Sequence, residues 1–318
     1  MSSTEEAAPP ASGMRAGVAL LLLVNLVWGV TWPITKVALW DMPVWHFRAT
    51  TVLIGGIGVM AVAWASGARL RPSREEVWPL LLAAVFNISL WTVLSAYGVA
   101  LMGAGRSAIV AFTMPLWAAV LSAVFLGERL TPAKVASLVL GACGLAILVL
   151  PEWRQMMAAP AGMLVLLGSA IAWAIGIVIF KSTPWRLSAF VLGGWQLVLG
   201  GLPLPLGAIA VGETFDPASL TWAGLAAASY IVLFAYVLGQ WGWLKAVLLL
   251  PTTVASIGLL TVPAIGVASS ALMVGETPVW SDIAALVLVT AAVALVLTAE
   301  GRWTPSATRT ELPARDSS

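Results

Sequence analysis

Charge is what this chain has least of. Only 9% of its 318 residues are Asp, Glu, Lys or Arg, where an ordinary soluble domain carries about 25%. So few charges cannot coat a water-facing surface, which excludes a soluble globular protein. Cysteine is nearly absent too: Cys143 stands alone, so the chain has no intramolecular disulfide and no cysteine metal cluster. No apolar run holds a central Asp or Glu. With one histidine, one cysteine and no intramembrane aspartate, neither a protease dyad nor a metal site can be assembled from the usual residues. No G-x-x-x-x-G-K-[ST] stretch occurs, so an ATP-driven pump is excluded within this chain. The pI near 8.9 rests on a net charge of only +2 and implies no nucleic-acid partner. We expect no enzyme activity, no cofactor and no metal.

What is present is apolar length. Hydrophobic residues fill 60% of the chain and the mean hydropathy is +0.98. A helix crosses a bilayer with about 20 predominantly apolar residues. Such runs lie near 16–39, 43–66, 77–101, 105–127, 132–151, 160–180, 187–211, 219–244, 251–274 and 280–300. The expected architecture is therefore all-α and integral to the membrane, with ten transmembrane helices. The connections are short and carry breakers such as Asp41-Met-Pro43, Thr131-Pro132 and Phe215-Asp216-Pro217. The first run has no small-residue cleavage pattern and reads as a span, not a signal peptide. Residues 1–13 and 303–318 read as disordered tails. With the N-terminus inside, twelve of the 16 basic residues fall on the cytoplasmic side and three (Lys36, Arg106, Arg154) opposite, so both termini are expected in the cytoplasm.

The chain is also written twice. TMPLWAAVLSAVFLGE at 113–128 returns as TVPAIGVASSALMVGE at 261–276, with Thr113, Pro115, Ser122, Gly127 and Glu128 matched at one offset of 148 residues. Trp28 and Lys36 return as Trp173 and Lys181, 145 residues on, and Trp78, Leu94 and Gly98 as Trp222, Leu238 and Gly242, 144 on. Residues 14–151 and 160–300 are thus two copies of a five-span unit. Five is odd, so the second copy enters the membrane from the opposite side, and the halves form inverted repeats around a central cavity. That is a recurring construction of secondary transporters, with the substrate site between the halves.

Trp28-Gly29 in the first span, the P-x(11)-G-E pattern from Pro115 to Glu128 and its second copy together resemble the drug/metabolite transporter superfamily, and more closely its EamA family. The resemblance covers about residues 14–300. It implies a basket of ten helices, with a cavity formed mainly by spans one, three, four, six, eight and nine, and export of small metabolites. Amino acids are a common substrate class there, as in the YddG-type aromatic amino-acid exporters. The second half departs from the pattern, since Trp173 is followed by Ala174.

Polar side chains inside spans are costly and tend to face a cavity or a partner helix. The candidate substrate-binding residues are Asn25, Trp28, Trp32, His46, Arg48, Asn87, Trp91, Ser95, Trp173, Gln196, Tyr230, Gln240 and Trp241. Trp28 and Trp173 occupy equivalent places in the two halves and either line one pocket or pack helices. Arg48 suits a carboxylate, or snorkels to the interface. His46 carries a proton, or is a belt or loop residue. Pro115 and Pro263 act as paired gates or hinges, or shape static helices. Glu128 and Glu276 end the helices that Gly127 and Gly275 close; direct contact with substrate is the other reading. The shortage of buried acids and bases favours a neutral, zwitterionic or modestly apolar solute. The expected protein is a carrier in a bacterial-type inner (cell) membrane, a monomer or weak homodimer, exporting small metabolites, with amino acids first among them. A passive channel and a lipid flippase are the alternatives.

Overall fold

The computed structural model describes residues 11–127, 131–149, 161–250 and 259–301. Among them the secondary structure is entirely helical, as it must be where lipid offers backbone groups no hydrogen bonds. The helices group into rods: α1 (Ala11–Asp41), α2 (Val44–Ala65), α3 (Arg74–Met102) and α4 (Ala104–Leu126). Next come α5 (Pro132–Val149), α6 (Ala161–Ser182), α7 (Ala189–Ala210), α8 (222–249), α9 (Thr261–Val274) and α10 (Trp280–Gly301). Seven helices are long and apolar enough to cross a membrane; the apolar stretches of α5, α9 and α10 are shorter.

Several rods are not the uninterrupted helices that continuous apolar runs suggest. α3 and α8 each contain a π-helical stretch, Val85–Leu90 and Ile231–Leu238. These stretches re-aim backbone carbonyls away from their usual partners. α4 breaks after Ala111 and restarts at Met114. Pro115 therefore does not kink the middle of a helix: it sits in the first turn of Met114–Leu126, where a missing N–H costs nothing. Pro263 likewise lies in the first turn of α9. Met114–Leu126 and α9 end alike. Gly127 (φ +68) and Gly275 (φ +67) adopt the left-handed conformation, and their N–H groups donate to the carbonyls of Ser122 and Ser270. Glu128 lies outside the described residues.

The rods pack in a regular scheme. α5 runs along α10 and α2 along α7, while α1 contacts α8 and α9, and α6 contacts α3 and α4. The largest apolar core joins α4, α5, α6, α9 and α10 through Ile109, Leu116, Leu166, Val267 and Val289. A second, around Val52, Val59, Val93 and Leu197, joins α2, α3 and α7. The outer face is apolar as well, with Leu22, Ile57, Trp64, Phe125, Leu206 and Leu272 exposed, which suits lipid. Lipid tails are as apolar as Leu, so close packing between helices, not water exclusion, holds such rods together.

Candidate functional site

The interior polar groups centre on Arg48. Pro43 starts α2, and the Glu213 carboxylate accepts the Trp45 N–H at 3.0 Å, satisfying an amide in the helix's first turn. One turn on, Arg48 is 6% exposed. It does not snorkel. Its Nε donates to the Thr92 carbonyl at 2.8 Å, just beyond the π-helical stretch of α3. Its guanidinium also interacts with the Tyr236 hydroxyl, which engages Thr51 as well, and lies 4.7 Å from the Phe47 ring centroid. Tyr236 belongs to the π-helical stretch of α8 and packs where Gly55 leaves α2 without a side chain. Arg48 thus bridges α2 to the irregular turns of both α3 and α8. No carboxylate pairs with it among the described residues.

Other candidates are held in pairs or against backbone carbonyls. Ser95 donates to the same Thr92 carbonyl that Arg48 uses, at 3.1 Å. Asn87 Nδ2 donates to Gln196 Oε1 at 3.1 Å, joining α3 to α7, and both side chains are buried. Gln240 lies against Gly193 of α7. α1 and α8 are clasped twice: Trp28 Nε1 donates to the Ala235 carbonyl at 3.1 Å, and the Tyr230 hydroxyl donates to the Val27 carbonyl at 3.0 Å. The Trp28 ring also packs against Trp243, with centroids 6.0 Å apart. Asn25 Nδ2 donates to Thr261 Oγ1 at 2.9 Å, tying α1 to α9.

Among the described residues, no hydrogen bond, ion pair or ring contact joins the remaining candidates to Arg48. His46 faces Glu213 at 3.4 Å and the Phe215 ring, at the end of α2 rather than within the bundle. Trp32 is buried in an apolar cluster with Val99, Ala104 and Ala108, where Trp91 also packs. Trp173 is half-buried on α6, and Trp241 is exposed on α8.

A second polar centre, made of residues that sequence reasoning left as edge charges, lies where α1, α4, α9 and α10 meet. A cavity of about 370 Å³ there is lined by Lys36, Met102, Arg106, Val267, Glu276 and Asp282, among others. Trp28 and Trp173 do not line it. Glu276 uses both oxygens. Oε1 accepts from Lys36 Nζ at 2.7 Å and from the Ala104 N–H at 2.8 Å, and Oε2 accepts from the Gly105 N–H at 2.9 Å. Glu276 is therefore a helix-end residue of an unexpected kind. It caps the N-terminus of α4, from the other half of the chain, rather than its own neighbour α10. Gly103 makes the approach possible: its φ is +92, and a Cβ there would stand 2.8 Å from Glu276 Oε1. Beside it Arg106 Nε donates to Asp282 Oδ1 at 2.9 Å, while Asp282 Oδ2 accepts the Val279 N–H at 2.9 Å. Burial pushes the Glu276 carboxyl up, but the Lys36 and amide hydrogen bonds outweigh it and hold its pKa below the usual carboxylate value. In the sequence the repeated Gly-Glu singles out Glu276, but nothing there ties it to Lys36, Arg106 or Asp282.

The EamA-like transporter family model matches residues 15–150 and again 160–298. The transporter YvbV of Bacillus subtilis (strain 168), called uncharacterized, is 31% identical over 284 residues, spanning 88% of this chain and 90% of that protein. A probable amino-acid metabolite efflux pump of Salmonella typhimurium is 27% identical over 284 residues, spanning 86% and 91%. One solved crystal structure superposes with a TM-score of 0.61 over 92% of this chain and 99% of the other, at 19% identity, a likeness of fold alone.

Proposed function

The chain belongs to the EamA-like transporter family, and from that premise we propose that it is a carrier exporting small metabolites, chiefly amino acids with aromatic or apolar side chains, by alternating access. The architecture we assign is ten membrane helices in two inverted five-helix repeats, in a bacterial cell membrane with both termini in the cytoplasm. Support for the repeats comes from packing. Exchanging each rod αn with αn+5 turns the α1–α9 contact into α6–α4 and the α1–α8 contact into α6–α3, and leaves α2–α7 and α5–α10 unchanged. Such an exchange supports a two-fold relation between the halves. The π-helical stretches in α3 and α8, and the left-handed glycines 127 and 275, obey the same exchange.

The observation that carries the substrate reading is Arg48. A guanidinium stays charged at any physiological pH, and a buried charge is costly unless it is paired. Here its partners are the Thr92 carbonyl and the Tyr236 hydroxyl, and no carboxylate is paired with it among the described residues. The carboxylate of an amino acid would supply the missing anion, with Trp28, Trp91 and Trp173 offering apolar surface and Asn25, Asn87, Ser95, Gln196 and Gln240 hydrogen bonds. Relatives named as amino-acid metabolite efflux pumps support that class.

The test is uptake into proteoliposomes of labelled amino acids and of their primary amides, which lack the carboxylate. We expect saturable uptake of some amino acids, discrimination against the amides of at least tenfold, and loss of that discrimination in Arg48→Gln. Equal handling of acid and amide would remove Arg48 from the site. Non-saturating flux would replace the carrier with a channel.

A further inference from the structure

The two polar centres differ in how they hold the molecule together. Around Arg48, the guanidinium, Thr51, Thr92 and Ser95 are buried among helices. Around Glu276, the pairs are partly wet: the side chains of Lys36 and Glu276 are 29% and 22% exposed, and a cavity opens beside them. Both ion pairs of this second cluster, and both amide contacts of Glu276, cross between the halves. Lys36, Ala104, Gly105 and Arg106 belong to the first half, Glu276 and Asp282 to the second.

Charge-assisted hydrogen bonds of this kind are strong when dry, yet readily exchanged for water once the site opens. That makes them suited to a contact that must form and break, unlike the interdigitated apolar seams of α5–α10 and α2–α7. The backbone leaves room at the same point. Glu276 follows Gly275, a left-handed glycine with nothing within 4 Å of where its Cβ would be. Rotation about the Glu276 side-chain bonds would lift the carboxylate out of the Gly103 cradle while the Gly275 and Glu276 amides stay on the Ser270 carbonyl. What it would uncover is the cavity floored by Met102 and Val267, between α3, α4 and α9.

We propose that Glu276, seated on Lys36 and the α4 amides and braced by the Arg106–Asp282 pair, is the gate that closes this end of the transport path, and that the structure shows that gate shut. The inference rests on the carrier reading, and its first test does not depend on the solute. In a Cys143→Ser background, Val267→Cys places a thiol on the cavity wall, where the native side chain is 6% exposed. Its labelling by a membrane-impermeant maleimide, applied to each face in turn, reports whether the path is open.

With the gate intact, labelling should be slow. Glu276→Gln, which keeps the shape and loses the charge, should raise the rate from one face at least fivefold, and Lys36→Met should do the same. Unchanged labelling in both variants, with each eluting as a monodisperse species like the parent, would overturn the proposal. Locking supplies a second reading. A short reducible crosslinker between cysteines introduced by Lys36→Cys and Glu276→Cys should abolish uptake, and reductant should restore it. Uptake that survives locking would also overturn it. If labelling responds as expected while no amino acid is transported, the gate stands and the substrate class falls.

Discussion

Gly103 offers a sharp test of the Glu276 clamp, because two costs meet at one position. Its φ and ψ of 92° and 160° lie in a region that side chains rarely adopt, and forcing Ala there costs about 1–3 kcal/mol. The new Cβ would also stand 2.8 Å from Glu276 Oε1. The carboxylate must then leave the Ala104 N–H, a charge-assisted bond whose loss costs a further ~1.5–3 kcal/mol. Gly103→Ala should therefore destabilise the fold by roughly 2.5–6 kcal/mol. Gly127 is the control. It too has positive φ, but no atom lies within 4 Å of its would-be Cβ, so Gly127→Ala should cost only the left-handed penalty of about 1–2 kcal/mol. Unfolding in mixed micelles under an SDS titration, followed by the fluorescence of the 17 tryptophans, measures both. A double-mutant cycle separates the two costs: in a Glu276→Ala background nothing is left to clash, and the Gly103→Ala penalty should shrink by ~1.5–3 kcal/mol. If Gly103→Ala costs no more than Gly127→Ala, or if the penalty is unchanged without Glu276, the cradle is not what holds that carboxylate.

Two further outcomes follow from the same contacts. Trp28→Phe keeps the aromatic packing on Trp243 and removes only the bond to the Ala235 carbonyl, so it should cost about 1 kcal/mol in the same titration; a loss no smaller than that of Trp28→Ala would mean the hydrogen bond, not the ring, is what matters. Stability should also fall in acid. The pKa of Glu276 is lowered from its ordinary 4.5, so its contribution is whole above that value and disappears as pH drops through the lower folded one. The charges facing it are Lys36, Arg106 and Asp282. An acid-induced loss of stability just as large in Glu276→Gln would assign the effect to other carboxylates.

Much of the fold can be read from apolar run length alone, and the physical reason is simple. In lipid a helix must satisfy its own backbone, so the run at 43–66 becomes Val44–Ala65 and that at 160–180 becomes Ala161–Ser182. The irregular turns were not legible. Nothing local in VFNISL or IVLFAYVL demands a π-helical turn. Near these stretches carbonyls are held by distant donors: Ala235 by Trp28, and Thr92, just beyond the first, by Arg48. Those partners exist only once α1, α2, α3 and α8 have come together. The same holds for the polar centres. Arg48 could be named from composition and depth, whereas its turn inward toward Tyr236, 188 positions along the chain, depends on tertiary packing. Glu276 read as a solvated helix end because its donors lie 171 to 240 residues away.

The scarcity of acids, which first marked the chain as a membrane protein, also explains where the few are spent. Glu76 accepts the N–H groups of Ser73, Arg186 and Leu187; Glu213 holds Trp45, Asp216 holds Ala218, Asp41 holds Thr221, and Asp282 holds Val279. Each sits at a helix end or in a connection and occupies a backbone donor that no helix satisfies. In several of these the acid and the amide lie far apart in sequence, so the acid locks a connection as well as a helix end. Glu276 follows the same rule. Like Asp282, whose second partner is Arg106, it also takes a cation from the other half, Lys36, and both acids line the cavity. A cap that only finishes a helix has no use for a cation or for room to move. A cap that must release does, since the lysine draws the carboxylate back and the cavity receives what the release admits.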